Sequence, residues 1–411
     1  MRDRGGTMSL AAAPATAGVC AFATPYRACR RLAAGLLIGA LATIGTLGAS
    51  RSALAAGPLD VRIGFVSPLS GDSADYGRDL QNGVQLALDE ANAQNLKIGE
   101  QAAHFELVPI DDRSDPRLGV QAAATLANQG VNAVVGHFNS GSAIPASRIY
   151  ESAGIPMISP AATNPVITSQ GFANTFMVIA NDAQNAGIAG AWAVDVMKAK
   201  RVAIIDDRTA FGQGEADMFE RAVREHGGNV VAREFAQSIA SDFGPQLAKI
   251  KAADADLLYF GGLAHQGAAL AKQMKARSMN AQFVGGGGVA NADFTQAAGA
   301  AAEGAMAWEY GRPLAQLPEG PRFEQAYKAR FGANVLAYAP FGYDAAWAAI
   351  HAMVNAKSAQ PEVYRSALKT LAFDGVTGRI AFEPDGSLKN GASTLWQVKK
   401  GVWVPVTTRG G

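Results

Sequence analysis

A chain of 411 residues, 49% hydrophobic and 17% charged, can bury a large core and has length for about two or three domains. Its 36 basic and 35 acidic side chains leave a formal charge of +1. That excludes the basic excess of a nucleic-acid binder and the acidic run of a solvating tail.

The N-terminus reads as a leader. Arg27, Arg30 and Arg31 precede an uncharged apolar run from Leu32 to Gly48, and Ser52-Ala53-Leu54-Ala55 then puts small residues at the −3 and −1 positions of a signal-peptidase site. The expected signal peptide is residues 1–55, cleaved after Ala55. A retained membrane anchor is the rival, because the run approaches the roughly 18 residues of a span. Its many Ala, Gly and Thr residues and the immediate cleavage site favour removal. Cys29 and Leu32 fit a twin-arginine motif around Arg30-Arg31 poorly, which favours the Sec route, and Met8 is an alternative start. Cleavage leaves 30 basic and 34 acidic side chains, a net charge of −4, and removes both cysteines, Cys20 and Cys29. The processed chain then has no disulfide, thiol nucleophile or thiolate metal site.

From Asp60 onward short apolar runs alternate with helical segments. Val61–Val66 reads as a strand, Tyr76–Gln94 as a helix and His104–Ile110 as a strand. Asp115-Pro116 opens a helix, with Asp as N-cap and Pro at the first helical position. Strand 131–136, helix 142–152 and strand 155–158 follow. A second series runs from strand 201–206 and helix 213–226 to strand 229–233. It continues through helix 243–253, strand 256–260, helix 266–277 and strand 281–284. Residues 321–369 read as mainly helical, and strands return at 379–382, 394–398 and 402–404.

Repeated strand–helix units imply parallel sheets covered on both faces, and two series imply two similar α/β lobes. Ligands of such sheets bind at the carboxyl ends of the strands. The loop after Gly136 carries His137-Phe138-Asn139-Ser140-Gly141-Ser142, with Pro145 expected in the first helical turn. The next strand ends in Ser159-Pro160-Ala161-Ala162-Thr163-Asn164-Pro165, again hydroxyls before a Pro-started helix. Either turn alone is a simple helix cap; two on successive strand ends make a cradle for a carboxylate.

These segments resemble the leucine/isoleucine/valine-binding family of periplasmic proteins. The matching text includes Ile63–Ser70, Asp75-Tyr76-Gly77, Asp115-Pro116, Gly136-His137, Pro160–Thr163, Phe211-Gly212, Tyr259–Gly262 and Gly288–Asn291. The resemblance implies the type I periplasmic-binding fold: two Rossmann-like α/β lobes with parallel sheets, joined by three crossings. Residues 56–181 plus 311–390 would form the N-terminal lobe, and 182–310 plus 391–411 the C-terminal lobe. It also implies a monomer in the periplasm that closes on a small carboxylate-bearing ligand and docks on an ABC permease, with no cofactor and no nucleic acid. In that family Ser140 and Thr163 would hold the carboxylate, the Ala161 carbonyl and the Thr163 hydroxyl would take an ammonium, and Tyr76 would close over the pocket.

The ammonium end departs from the family. Gly287 stands where a Glu often neutralises the amine, and Leu263 and Phe211 stand where tyrosines are usual. A buried ammonium without a carboxylate costs several kcal/mol. Either another acid substitutes, with Glu309 and Asp344 as candidates, or the ligand has no amine and meets a less polar, roomier wall. Ser114 and Asn139 replace a cysteine pair that some relatives have.

Gly285–Gly288 lacks the Lys of a phosphate loop. Asp111-Asp112 fits a strand end better than a metal site, and the five histidines have no metal-ligand spacing. No Gly-x-Ser-x-Gly elbow or glycosidic acid pair supports an enzyme. The expected role is a transport receptor for a branched-chain amino acid or related acid. An amine-free acid as ligand, and a sensory module feeding a membrane receptor, are the alternatives.

Overall fold

The structure is a computed structural model and describes residues 57–411; the expected leader and its cleavage site lie outside the described residues. β1 (Leu59–Ser67), α1 (Ala74–Ala93), a β2–β3 hairpin (Lys97–Ile98, Gln101–Asp111), α2 (Pro116–Gln129) and β4 (Ala133–Gly136) open the chain. Then come α3 (Ser140–Ala153), β5 (Met157–Ser159), the four-residue α4 (Val166–Ser169) and β6 (Thr175–Met177). Their sheet has the order β2-β3-β1-β4-β5-β6 and is parallel apart from the β2–β3 pair. Val61, Ile63, Phe65 and Val66 of β1 are fully buried, because helices cover both sheet faces.

The second series is α5 (Asp182–Asp195), β7 (Val202–Asp206), α6 (Ala210–Glu225), β8 (Val230–Phe235), α7 (Gly244–Ala252) and β9 (Leu257–Gly261). It continues with α8 (Ala264–Ala276), β10 (Gln282–Gly285), α9 (Ala292–Ala298) and β11 (Met306–Tyr310). The chain next returns to the first body as α10 (Gly320–Phe331), α11 (Ala339–Ala356), α12 (Pro361–Lys369) and the β12–β13 hairpin (Ala372–Gly375, Gly378–Ala381). β14 (Ser393–Lys399) and β15 (Val402–Arg409) rejoin the second sheet, in the order β15-β14-β11-β10-β9-β7-β8. The chain therefore passes between the sheets three times, after β6, after β11 and before β14.

The second sheet is parallel through β11, as expected, and β14 adds antiparallel pairs with both β11 and β15. Lys400 and Gly401 link β14 to β15 with φ of +55° and +78°, the pair of left-handed conformations that a two-residue hairpin turn demands.

Local chemistry explains the helix ends that place the cleft. Asp115 accepts from Arg117 N at 2.8 Å and α2 stops at Gly130. Asn181 and Gln184 form a reciprocal capping box at the start of α5. α3 starts at Ser140, two residues before its expected start, so Pro145 lies inside the helix and not in its first turn. The Pro165 turn opens only the short α4. α11 lies along α1 so closely that a Cβ on Gly83 would sit 1.9 Å from the Ala339 carbonyl oxygen.

Candidate ligand-binding cleft

The loops after β4 and β5 and the starts of α6 and α8 surround one cavity of about 390 Å³. Ser140 and Gly141 reach it from α3, Ala161 from the β5 loop, Phe211 from α6, and Leu263 from the residue before α8. Phe138 and Tyr338 supply further apolar wall. The first N–H groups of a helix have no acceptor within it and carry its positive end. Here two such ends, of α3 and α6, meet the same space, and a Cβ on Gly141 would lie 4.0 Å from the Cβ of Ala210. Thr209 caps α6, accepting from Gly212 N at 2.9 Å. Arg208 adds a cation at the lining, its guanidinium 3.3 Å from the centroid of Phe235. Asp207 also lines it, but its Oδ1 accepts from the Thr209 amide and hydroxyl at 2.9 and 2.6 Å.

The other sequence-derived residues stand around this space. The Ser140 hydroxyl is buried and accepts from Asn164 N at 3.4 Å. Tyr76 does not line the cavity; it stacks on Phe138, meets Tyr338 edge-on, and accepts from Asn291 Nδ2 at 2.6 Å. That bond joins α1 to the loop before α9, and burial pushes the Tyr76 phenol up. Thr163 lies behind the cavity wall, where its Oγ1 accepts from the Tyr310 hydroxyl at 3.2 Å.

Gly287 changes the expected picture. Its backbone N donates to Glu215 Oε1 at 2.8 Å, and a Cβ there would lie 2.1 Å from the Tyr310 ring. Tyr310 therefore occupies the room that a longer side chain at 287 would need. The wall at this position is filled, contrary to the expectation of a roomier one.

Of the two candidate acids, Asp344 is misplaced. It sits in α11 and accepts from Val376 N and Thr377 N, both at 2.8 Å, and from Thr377 Oγ1 at 2.6 Å, pinning the β12–β13 turn. Burial lifts its carboxyl to about 6. Glu309 does reach the cleft loops, yet it accepts from Gly288 N at 2.9 Å and Ala290 N at 2.7 Å. Burial lifts it to about 7 against those bonds.

The sequence reading missed a buried acid pair beneath Thr163. The Tyr310 hydroxyl lies 3.0 Å from Asp182 Oδ1 and 3.2 Å from Glu215 Oε1. Asn185 Nδ2 donates to Glu215 at 3.3 Å. Asp182 Oδ2, Glu215 Oε2 and the nearby Tyr259 hydroxyl are buried without partners. Burial lifts Asp182 to about 7, against hydrogen bonds from Thr163 and Tyr310; burial and then the Asp182 charge push Glu215 up.

The sequence profile of periplasmic binding proteins matches residues 60–402. The chain belongs to the periplasmic binding protein family. It is 33% identical to a Leu/Ile/Val-binding protein homolog 1 of Brucella suis over 343 residues, which are 83% of this chain and 91% of that one. It is 32% identical to the leucine-, isoleucine-, valine-, threonine-, and alanine-binding protein of Pseudomonas aeruginosa over 340 residues, 83% of this chain and 90% of that one. Its fold matches the crystal structure of a leucine-binding protein of Thermotoga maritima with a TM-score of 0.78 at 26% identity, covering 85% of this chain and 98% of that one. These relatives are binding proteins and not enzymes. The cleft of this periplasmic binding protein has fixed donors at one end and apolar walls around them, and Tyr76 bonds Asn291 beyond those walls. Among the described residues no helix is long and apolar enough to cross a membrane.

Proposed function

We propose that the protein is the substrate-binding component of an ABC importer, exported to the periplasm, and that it captures a small carboxylate in the 390 Å³ cavity. The observation that carries this reading is the convergence of two helix N-termini, from opposite lobes, with Ser140 on a mainly apolar space. Backbone N–H groups at a helix start bind anions without a dedicated cation, and the apolar wall suits a branched or aromatic ligand body. Ser140, the Ala161 carbonyl, Phe211 and Leu263 form the proposed ligand contacts, with Thr163, Tyr76 and the Gly287 loop standing behind them. The relatives' names point to branched-chain amino acids.

A second reading concerns the amine. Tyr310 fills the place of an acid at 287, and Asp207, the one carboxylate lining the cavity, is tied to Thr209. An amine-free acid should therefore bind at least as well as leucine. The test is a thermal-shift panel that pairs leucine, isoleucine, valine and phenylalanine with their deaminated analogues. A ligand at 100 times its Kd adds about 2.7 kcal/mol of stability, enough to read. Shifts with the amino acids alone would refute the second reading. The absence of any shift across the panel would refute the first.

A further inference from the structure

Glu215 holds the Gly287 backbone N, yet among the described residues the Asp182–Glu215 pair has no cation beside it to balance two charges. Both side chains are fully buried, and each leaves one oxygen without a partner. Among the described residues no Lys, Arg or His forms an ion pair with either; Arg233, whose charge reaches Tyr259, is committed to Asp206, Asp217 and Glu220. The groups that face the pair are Tyr310 and Glu309 of β11, Tyr259 of β9, Asn185 of α5, and the Tyr338 phenol. None of them is a cation. Two carboxylates that share one phenol proton in a dry site cannot both stay ionised.

The pair is wired to the cleft through Thr163. Tyr310 contacts Thr163 Oγ1, Asp182 Oδ1 and Glu215 Oε1 with a single hydroxyl, so Thr163 and the two acids compete for one donor. When the pair is ionised, the carboxylates claim the Tyr310 proton. When the pair holds an extra proton, the Tyr310 hydroxyl is released to donate to Thr163 Oγ1, in the β5 loop that carries Ala161 to the cavity. The backbone records the same priority: a Cβ on Gly286 would lie 1.9 Å from Glu215 Oε2 and 2.6 Å from the Tyr259 hydroxyl, so glycine there keeps room for the Glu215 carboxyl.

We propose that Asp182 and Glu215 form a proton-binding site, and that the cleft takes up an amine-free carboxylate together with one proton drawn from water. Without a ligand the pair gives up its shared proton only as the pH rises, because burial holds both carboxyls up. Closure over an anion removes water and brings a third negative charge near them, so the pair takes up a proton and Tyr310 turns to Thr163. A zwitterionic amino acid carries its own positive charge and replaces that proton. This rests on the carboxylate reading above.

Calorimetric titration of the natural protein with 4-methylpentanoate and with leucine, at pH 5 and pH 8 in two buffers of different ionisation enthalpy, counts the protons directly. The expected result is uptake of about one proton per 4-methylpentanoate bound at pH 8, and an affinity that falls up to about tenfold per pH unit above 7. No net uptake is expected at pH 5, where the pair is already protonated and the free acid sheds part of its own proton. Leucine should take up markedly less. Glu215→Gln and Asp182→Asn, each carrying a permanent neutral side chain in the pair, should flatten the slope for 4-methylpentanoate. If a variant does not fold, the titration of the natural protein decides alone. Binding of 4-methylpentanoate at pH 8 without proton uptake overturns the proton site and leaves the carboxylate reading intact. Failure of every carboxylate in the panel to bind overturns the reading on which it rests.

Discussion

Asp79→Ala tests how the cleft wall is held. Asp79 is buried in α1, and its carboxylate accepts from Leu336 N at 3.0 Å, Ala337 N at 3.0 Å, Tyr338 N at 2.7 Å, Ala339 N at 2.9 Å and the Tyr327 hydroxyl at 2.9 Å. One side chain thus caps the start of α11 and fixes Tyr338 against Tyr76 and Phe138. Truncation leaves the N–H groups of Tyr338 and Ala339 buried without an acceptor, at about 1–3 kcal/mol each. The N–H groups of Leu336 and Ala337 are only partly buried and can turn to water. The expected loss is about 2–6 kcal/mol, the sum of those two unsatisfied groups. Asp79→Asn keeps one acceptor oxygen and should lose about half as much. Guanidinium unfolding at constant pH measures both, and carboxylate affinity should fall in step because Tyr338 forms cavity wall. A loss below 1 kcal/mol in Asp79→Ala would refute the view that this carboxylate holds the wall.

Ser140→Ala should weaken carboxylate binding by about 1.5–3 kcal/mol, the worth of a hydrogen bond to a charged group, with little change in melting temperature; unaltered affinity by calorimetry would remove Ser140 from the site. Tyr76→Phe deletes the bond to Asn291 that spans the cleft, so it should raise Kd several-fold and leave a larger radius of gyration at subsaturating ligand; scattering profiles identical to the natural protein would count against a closing role. Asp344 has a folded-state pKa raised by burial to about 6, so its contribution to stability is present below its unfolded value near 3.9 and is lost as pH rises through about 6. Asp344→Asn should flatten that part of the stability profile, and an unchanged slope in pH-dependent melts would contradict the assignment.

The alternation of strands and helices was legible because its signals are local. The apolar run of β1 and the Asp115-Pro116 start of α2 each follow from neighbouring residues. α5 was missed because its sequence, rich in Ala and Gly, has no strong apolar stripe. β6 is three residues long, and β14 and β15 take their antiparallel places from partners far along the chain. The loops around the cavity were legible after β4 and β5, where hydroxyls, Gly and Pro mark the strand ends. The acid end was not. Glu215 reads as one more polar residue on α6, and only folding brings it to the Gly287 backbone, with Tyr310 contributed from β11. Asp344 was chosen for its charge, yet its position in α11 commits it to the β12–β13 turn. No sequence pattern relates 182, 215 and 310; the topology does.

The most direct test of the carboxylate-capture account is a crystal structure with the acid that gives the largest thermal shift. The account predicts density in the 390 Å³ cavity, with the carboxylate about 2.7–3.2 Å from Ser140 Oγ and the first N–H groups of α3. Its apolar body should rest against Phe138, Phe211 and Leu263. An acid seated instead in the separate cavity of about 350 Å³ beside Leu314, Val335, Phe341 and Trp396, or turned with its carboxylate away from α3, would contradict it.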